Sequence, residues 1–579
     1  MHGWTGTIQY VNLSDGSCRR EPLAPDLLHT YLGGRGLGVR LMREFHRLDP
    51  FSPEMPLIFA TGPLCGTPAP TTARMTVVSR SPLTGTIFSS SAGGLFPWRM
   101  KAAGIDVLFV TGRSPAPVCL ILNDAGAELV PADPLWGKTI PETAAALRDR
   151  GSVAAIGPAG ENGVLFASIG QDTGGAFARG GLGAVMGDKR LKAVVADGSG
   201  TVEIADRDRF DRARQDVLRL FNASPVIFGE LGFANFGTPA LVDLIRQRRM
   251  SPTENFRSTV FAGAAGYGGP AIRNAYAPEG DGCHGCPVEC RKRTPTGEPL
   301  PDYDAVSHFG GLNANADLAT IVRCNALCGE LGMDPVSTAA TLSAWGEARG
   351  RFASADEMPS LLADIARRRG EGELLALGSQ QAMGRLGRPE FSMSVKGLEL
   401  PAYDPRGAYG LALAYCTSSR GGCHLQANPV SHEILRKPVA TDRFTFSGKA
   451  RIIKIAEDGN AAADSLVACG SAFFGATLEE YGELVSAATG REFPPCRLLE
   501  IGERIFMTER FYNCANGFTR KDDVLPERFF TDPGSSGEGI EIPHIDRERF
   551  EVELQKYYRI RGLSEEGTFA DRLFLERQP

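Results

Sequence analysis

The chain has 579 residues, 42% hydrophobic and 22% charged, a globular composition long enough for several domains. Its net charge of −6 excludes the basic footprint of a nucleic-acid binder, and no apolar run approaches the ~20 residues of a membrane span. Glycine, at 69 residues, points to tight turns and close backbone approaches rather than to disorder, given so much apolar content.

In chain order, the N-terminal MHGWTGTIQYVNL has no charged segment followed by a long apolar one, so it does not read as a secretory signal. The pair Arg19–Arg20 has no apolar segment after it either, and a cytoplasmic protein is expected. The first ~200 residues read as β-rich, with short apolar runs between turn signals at 73–80, 106–112, 118–124, 153–157 and 191–198. The polar stretch 197–208 marks a boundary. Beyond it Phe210, Ala213, Val217 and Leu220 recur at helical steps. Segments 238–249, 316–331, the alanine-rich stretch after Asp334, and 373–386 continue the helical reading. The period is lost near 388–404, a second boundary, and further helices are predicted near 447–457, 478–488 and 546–561. The expected fold is therefore α+β and multidomain: a β-rich domain over 1–205, a helical domain over 206–395, and a mainly helical domain over 396–579.

Thirteen cysteines in an intracellular chain do not suggest a disulfide framework, and most are expected to pack as small apolar residues. The exception is CHGCPVEC, where Cys283, Cys286 and Cys290 stand at C-x2-C-x3-C spacing. Structural zinc usually takes two separated cysteine pairs, whereas three local thiols and one distant thiol is an iron–sulfur arrangement, so the spacing favours iron–sulfur over zinc. Spacing leaves the fourth ligand open among Cys324, Cys328, Cys416, Cys423, Cys469, Cys496 and Cys514. His284, directly beside Cys283, is expected to point elsewhere.

Several stretches then carry a resemblance in order along nearly the whole chain. They are GWTGTIQYVNLSDG, YLGGRGLGVRLM, RMTVVSRSPLTGTIFSSSAGG, ARGGLGAVMGDKRLKAV, the cysteine loop, LGMDPVST, SSRGGCHL, DSLVAC and GFTRKDDVLPERFF. The sequence resembles the tungsten-dependent aldehyde:ferredoxin oxidoreductase family. That resemblance implies a β-rich base for a bis-pterin cofactor carrying tungsten or molybdenum, closed over by two helical domains. It also implies a Mg2+ ion linking the pterin phosphates and a [4Fe–4S] cluster on Cys283, Cys286, Cys290 and Cys469.

The resemblance further implies cofactor contacts. Arg74 and Arg179 match phosphate-side arginines, and Gly93, Gly180, Leu182 and Gly183 match backbone contacts. Ser91 stands where the family usually has an asparagine whose carbonyl contacts magnesium. The paired motif D-x-x-G-L-(C/D) reads GELGMD and DSLVAC here, which assigns Met333, Asp334, Asp464, Ala468, Cys469 and Gly470 to the pterins but replaces one leading aspartate by Gly329. Arg420 and Gly421 match further pterin contacts. Asp304, in PDYDAV, takes the place of a catalytic glutamate, and His424 that of a catalytic histidine. A carboxylate and an imidazole beside a high-valent metal form an acid/base pair. The bland alternative is that Asp304 caps a helix and His424 is a satisfied core residue.

The expected reaction is oxidation of an aldehyde to a carboxylate, with electrons leaving to ferredoxin or a small iron–sulfur partner subunit. Two rivals stand beside it. One is a tungstopterin reductase of aromatic-ring thioesters (benzoyl-CoA type), kept open by Cys423 because that branch has a cysteine ligand to the metal. The other is a non-catalytic iron–sulfur or zinc-binding electron-transfer module. The family's E-x-x-H iron bridge between subunits is not expected, because the only such motif is Glu541–His544, which reads as loop.

Overall fold

A computed structural model of the chain describes residues 2–437 and 439–570. The N-terminal part holds two six-stranded sheets. The strands of the first are β1 (Thr7–Asn12), β2 (Ser17–Pro22), β3 (Leu57–Ala60), β4 (Arg74–Arg80), β5 (Ile87–Gly93) and β6 (Val107–Thr111), in the order β2-β1-β6-β3-β4-β5. The second sheet contains β7 (Val118–Asn123), β8 (Gly126–Pro131), β9 (Ser152–Ala155), β10 (Ile169–Gln171), β11 (Ala176–Phe177) and β12 (Leu191–Asp197), in the order β11-β10-β9-β12-β7-β8.

The inner strands β3, β4 and β6 of the first sheet are buried on both faces, whereas edge strand β2 is largely exposed; alternate side chains of a strand point to opposite sides. Phe59, Met75 and Val77 enter the core shared with the second sheet and the middle helices. Ile58, Ala60 and Val78 enter a separate core with helices Arg207–Ala223, Leu478–Thr489 and Pro495–Ala515. After residue 206 the chain is mainly helical, so the expected α+β multidomain class holds.

Details of the helical reading need correction. In Arg207–Ala223 Leu220 packs against the core but is only partly buried, and Phe221 joins Phe210, Ala213 and Val217 as a fully buried contact. The stretch 373–386 is two helices, Glu371–Leu375 and Gly378–Arg385, separated by a turn at Ala376–Leu377. The helix expected near 447–457 runs from Lys449 to Leu466, and the extra turns carry Asp464 towards Cys469. Several helices were not anticipated, among them Gly34–Leu41, Glu357–Arg367, Tyr409–Thr417 and Pro495–Ala515. Tyr409–Thr417 is buried on every side, so it has no amphipathic period to read. Pro495–Ala515 alternates charged and apolar residues in a way that blurs its stripe. Glu541 and His544 lie outside helices and strands. No helix among the described residues is long and apolar enough to cross a membrane.

The last domain meets the first through glycine. A Cβ on Gly34, at φ +39°, would lie 2.3 Å from the Asp464 carbonyl oxygen, and one on Gly62 would lie 2.8 Å from that of Ser465. Only a bare backbone permits this approach. We expect Gly34→Ala to destabilise the protein by about 2–4 kcal/mol through strain and overpacking. Thermal unfolding should show a lower midpoint, and an unchanged midpoint would remove the close approach as a requirement of the fold.

Candidate functional site

The cysteine loop follows strand Glu279–Gly280 and precedes Lys292–Arg293, and the two pair as a short antiparallel ribbon. Cys283, Cys286, Cys290 and Cys469 line one cavity of ≈ 190 Å³, together with Thr71, Arg74, Ser91 and Gly93. Cys469 is brought there by its backbone N–H, which donates to Thr71 O at 3.2 Å. Among the described residues, no three His, Cys, Asp or Glu side chains converge on the position of a single metal ion. The thiols surround a space instead. Burial pushes Cys286 up to about 11 and Cys290 to about 12, and the neighbouring thiols add to the shift. Such thiols keep their protons unless a cation replaces them. Four thiols lining one cavity are a donor set that could hold an iron–sulfur group or a zinc ion. The His284 ring lies 4.7 Å from that of Trp98, away from this ring of sulfurs.

Arg74 starts β4 and donates from Nη2 to Ser91 O at 3.3 Å, with its guanidinium otherwise facing the cavity. Ser91 Oγ pairs with Thr76 Oγ1 at 2.8 Å. A Cβ on Gly93 would lie 2.6 Å from Cys283 Sγ, so glycine keeps this wall thin. Arg179, Gly180 and Gly181 all take positive φ, an uncommon conformation for arginine. That backbone aims Arg179 Nε to within 3.1 Å of Asp334 Oδ2, an ion pair without hydrogen-bond alignment, while Nη2 donates to Glu399 O at 2.5 Å. Leu182 and Gly183 follow on a buried helix, and Met333 is fully enclosed. Asp334 also caps helix Pro335–Ala348, accepting from Ser337 N at 2.9 Å.

Asp464 stands at the end of Lys449–Leu466, 3.4 Å from Arg35 Nη1. Arg35, fully buried, binds Glu509 through two bonds of 2.8 and 2.6 Å. Glu509 accepts in turn from Ser419 Oγ at 2.5 Å, which fixes the loop bearing Arg420, Gly421 and His424. Arg420 donates to Ser89 O at 2.5 Å and to Cys423 Sγ at 2.9 and 3.2 Å. Cys423 Sγ also accepts from Leu425 N at 3.3 Å. Ala468 is buried, whereas a Cβ on Gly470 would meet nothing within 4 Å.

Asp304 lies in the first turn of helix Tyr303–Phe309, but the cap is Asp302, which accepts from Ala305 N at 2.9 Å. Asp304 Oδ1 instead accepts from Ala402 N at 3.0 Å. The His424 ring packs 5.1 Å from that of Tyr403 and makes no hydrogen bond from its nitrogens among the described residues, so it is not a satisfied core histidine. Burial pushes His424 down to about 4, with Asp304 opposing and Arg179, Arg420 and His308 reinforcing. Burial and then Asp304 push Asp302 up to about 6.

The sequence reading missed His308, whose Nδ1 lies 2.8 Å from Asp304 O and whose Nε2 lies 3.1 Å from Leu400 O. Its place four residues after Asp304 on a helix was the available signal. It also missed Arg35, for which a glycine-flanked arginine was the only hint.

The family model for the N-terminal domain of aldehyde ferredoxin oxidoreductase matches residues 8–198, and that for its domains 2 and 3 matches residues 212–574. The chain belongs to the aldehyde ferredoxin oxidoreductase family. A tungsten-containing aldehyde ferredoxin oxidoreductase of Pyrococcus furiosus is 38% identical, over 98% of this chain and 97% of the relative. One of Pyrococcus horikoshii is 36% identical, over 100% and 99%. The BamBC active-site complex of benzoyl coenzyme A reductase, solved with 1,5-dienoyl-CoA, contains a chain of the same fold. It aligns with a TM-score of 0.84 at 23% identity, over 99% of this chain and 97% of that one.

His424 yields a stability test. The unfolded chain takes up this proton near the ordinary 6.5, the folded chain only near 4. Stability from this residue is thus complete above pH 6.5 and is lost as pH falls towards 4, by at most about 3 kcal/mol. His424→Asn should show a shallower loss of stability than the parent between those values in denaturant titrations; parallel curves would refute the buried neutral imidazole.

Proposed function

We propose that the protein oxidises aldehydes to carboxylic acids at a tungsten (or molybdenum) bis-pterin centre, with a [4Fe–4S] cluster as the electron exit towards ferredoxin or a small iron–sulfur subunit. The observation that carries this reading is the gathering of Cys283, Cys286, Cys290 and Cys469 around one cavity with Arg74 and Gly93, in a chain of this family. The donor set fits both groups. Four thiols would hold the cluster. Arg74 and Arg179 would face pterin phosphates, the Ser91 backbone their Mg2+, and Asp334, Arg420 and Asp464 the pterins. When bound, the metal–pterin group supplies a two-electron acceptor.

The overall balance is RCHO + H2O → RCOO⁻ + 3 H⁺ + 2 e⁻. The chain's own residues handle the protons and the geometry. Asp304 has Oδ1 tied to Ala402 N, so its carboxylate is fixed while Oδ2 remains to accept a proton from water. His424 is held neutral across the physiological range and can accept a second proton. The rings of Tyr303, Tyr403 and His424 stand side by side, at 4.9 and 5.1 Å, an aromatic surface that would keep bulk water from the reacting groups. The Cys423 sulfur accepts N–H bonds from Arg420 and Leu425, contacts that a free thiol and a metal-bound thiolate can both make, so the aromatic-thioester reading stays the alternative.

Anaerobically purified protein should contain tungsten or molybdenum and about four irons per chain, and should reduce a viologen dye with aldehydes but not oxidise it with aromatic thioesters. Asp304→Asn and His424→Gln should each lower kcat by roughly 10²-fold or more while retaining the metals. Cys469→Ser should lose the four-iron signal. Full metal content without aldehyde-dependent turnover would reject the substrate class, and absence of both heavy metals would reject the oxidoreductase reading altogether.

A further inference from the structure

The mechanism above gives no task to Arg291, the residue that follows Cys290. Its Nε donates to Asp281 O at 3.1 Å and its Nη2 to Gly282 O at 3.2 Å. Both carbonyls immediately precede Cys283, so the side chain closes the cysteine loop from its far end back to its start. The third arm, Nη1, is buried and has no hydrogen-bond partner. The residue lines the same ≈ 190 Å³ cavity as the four thiols. Beyond Nη1 stands a glycine wall: a Cβ on Gly175 would lie 3.0 Å from that nitrogen and 2.4 Å from Gly93 O.

A buried guanidinium N–H without an acceptor costs on the order of 1–3 kcal/mol, and the arm is pinned where it cannot swing out to find one. A sulfur-rich anionic group in the cavity would supply the acceptor. Compensation of the charge is weak, since the Asp281 carboxylate comes only to 3.9 Å of Nε. Arg74 and Arg291 are the cationic side chains of the cavity lining and Asp281 is its acidic one, leaving an excess of positive charge there.

We propose that Arg291 sets the reduction potential of the four-iron cluster: its pinned guanidinium faces the thiol-lined cavity and stabilises the reduced form. This rests on the reading of the four thiols as the cluster's ligands. The physical basis is simple. Reduction adds one negative charge to the cluster, a fixed cation nearby lowers the energy of that state, and N–H donors to cluster sulfurs act in the same direction. Loss of the charge makes the cluster harder to reduce. Arg291 is a positioning and tuning residue, not a catalytic one, since it stands on the electron-exit side and away from Asp304 and His424.

The test is an EPR-monitored redox titration of anaerobically purified holoenzyme, comparing the parent with Arg291→Gln and Arg291→Lys. At the parent midpoint potential, the reduced-to-oxidised ratio should fall about tenfold in Arg291→Gln, a 59 mV negative shift for a one-electron couple. Arg291→Lys keeps the charge without the loop contacts and should stay within about twofold of the parent. A full four-iron signal with the parent midpoint in Arg291→Gln overturns the proposal. So do equal shifts in both variants, or loss of iron from both, because the arginine would then act through its carbonyl contacts alone. A parent protein without any four-iron signal would instead remove the reading of the thiols, a different and separately visible failure.

Discussion

The site depends on bringing Cys469 against a loop that lies nearly two hundred residues earlier in the chain. Three contacts do this, and none involves a thiol. Gly34 and Gly62 let the first domain's backbone touch the end of Lys449–Leu466. Thr71 O receives the Cys469 N–H, and the Thr71 hydroxyl is itself held by Tyr481 at 2.8 Å. Arg35 and Glu509 form a fully enclosed bidentate pair between the same two domains. Breaking one partner of such a pair typically costs 3–5 kcal/mol, because the other charge is stranded. Since Glu509 also holds Ser419, the same pair sets the height of the loop that carries Arg420 and His424.

From that frame follows an electrostatic line across the site. His424 feels Asp304, Arg179 and Arg420; Asp464 feels Arg35, Arg420 and Arg74; Arg74 feels Cys469 and Cys283. Proton-handling groups stand at one end and thiols at the other, with arginines and Asp464 between. Burial pushes His424 down and Asp302 up, the divergence expected where neighbouring groups hold different protonation states. An arginine in this setting stays charged whatever happens around it.

Much of the architecture was legible in sequence because period reports burial. The strands at 73–80 and 191–198 and the helix at 316–331 announced themselves in that way. Tyr409–Thr417 could not, since a helix wrapped on all sides presents no stripe. The three loop cysteines were legible from their spacing, but Cys469 came only from resemblance, because nothing in a linear sequence marks which distant thiol will be delivered. Arg35 and Glu509 were illegible for the same reason, lying 474 residues apart. His308 was readable in principle from its helical offset to Asp304. Its significance depends, however, on Leu400 O arriving from another segment.

The separation between the frame and the thiols has a consequence for assembly. Buried Cys286 and Cys290, at about 11 and 12, are neutral in the chain itself and place no charge on the unloaded fold. The glycine contacts and the Arg35–Glu509 pair hold this geometry without a bond to any thiol, and an iron–sulfur group of the kind proposed would displace the protons of Cys286 and Cys290. Uptake of the proposed four-iron group would on this account release protons and be favoured as pH rises. A site built in the opposite order, with thiolates present before metal, would have had to bury four like charges around one cavity, and the only cations lining it are Arg74 and Arg291. Keeping Cys286 and Cys290 neutral lessens that repulsion, and the two arginines would keep their charge to offer to the proposed cluster.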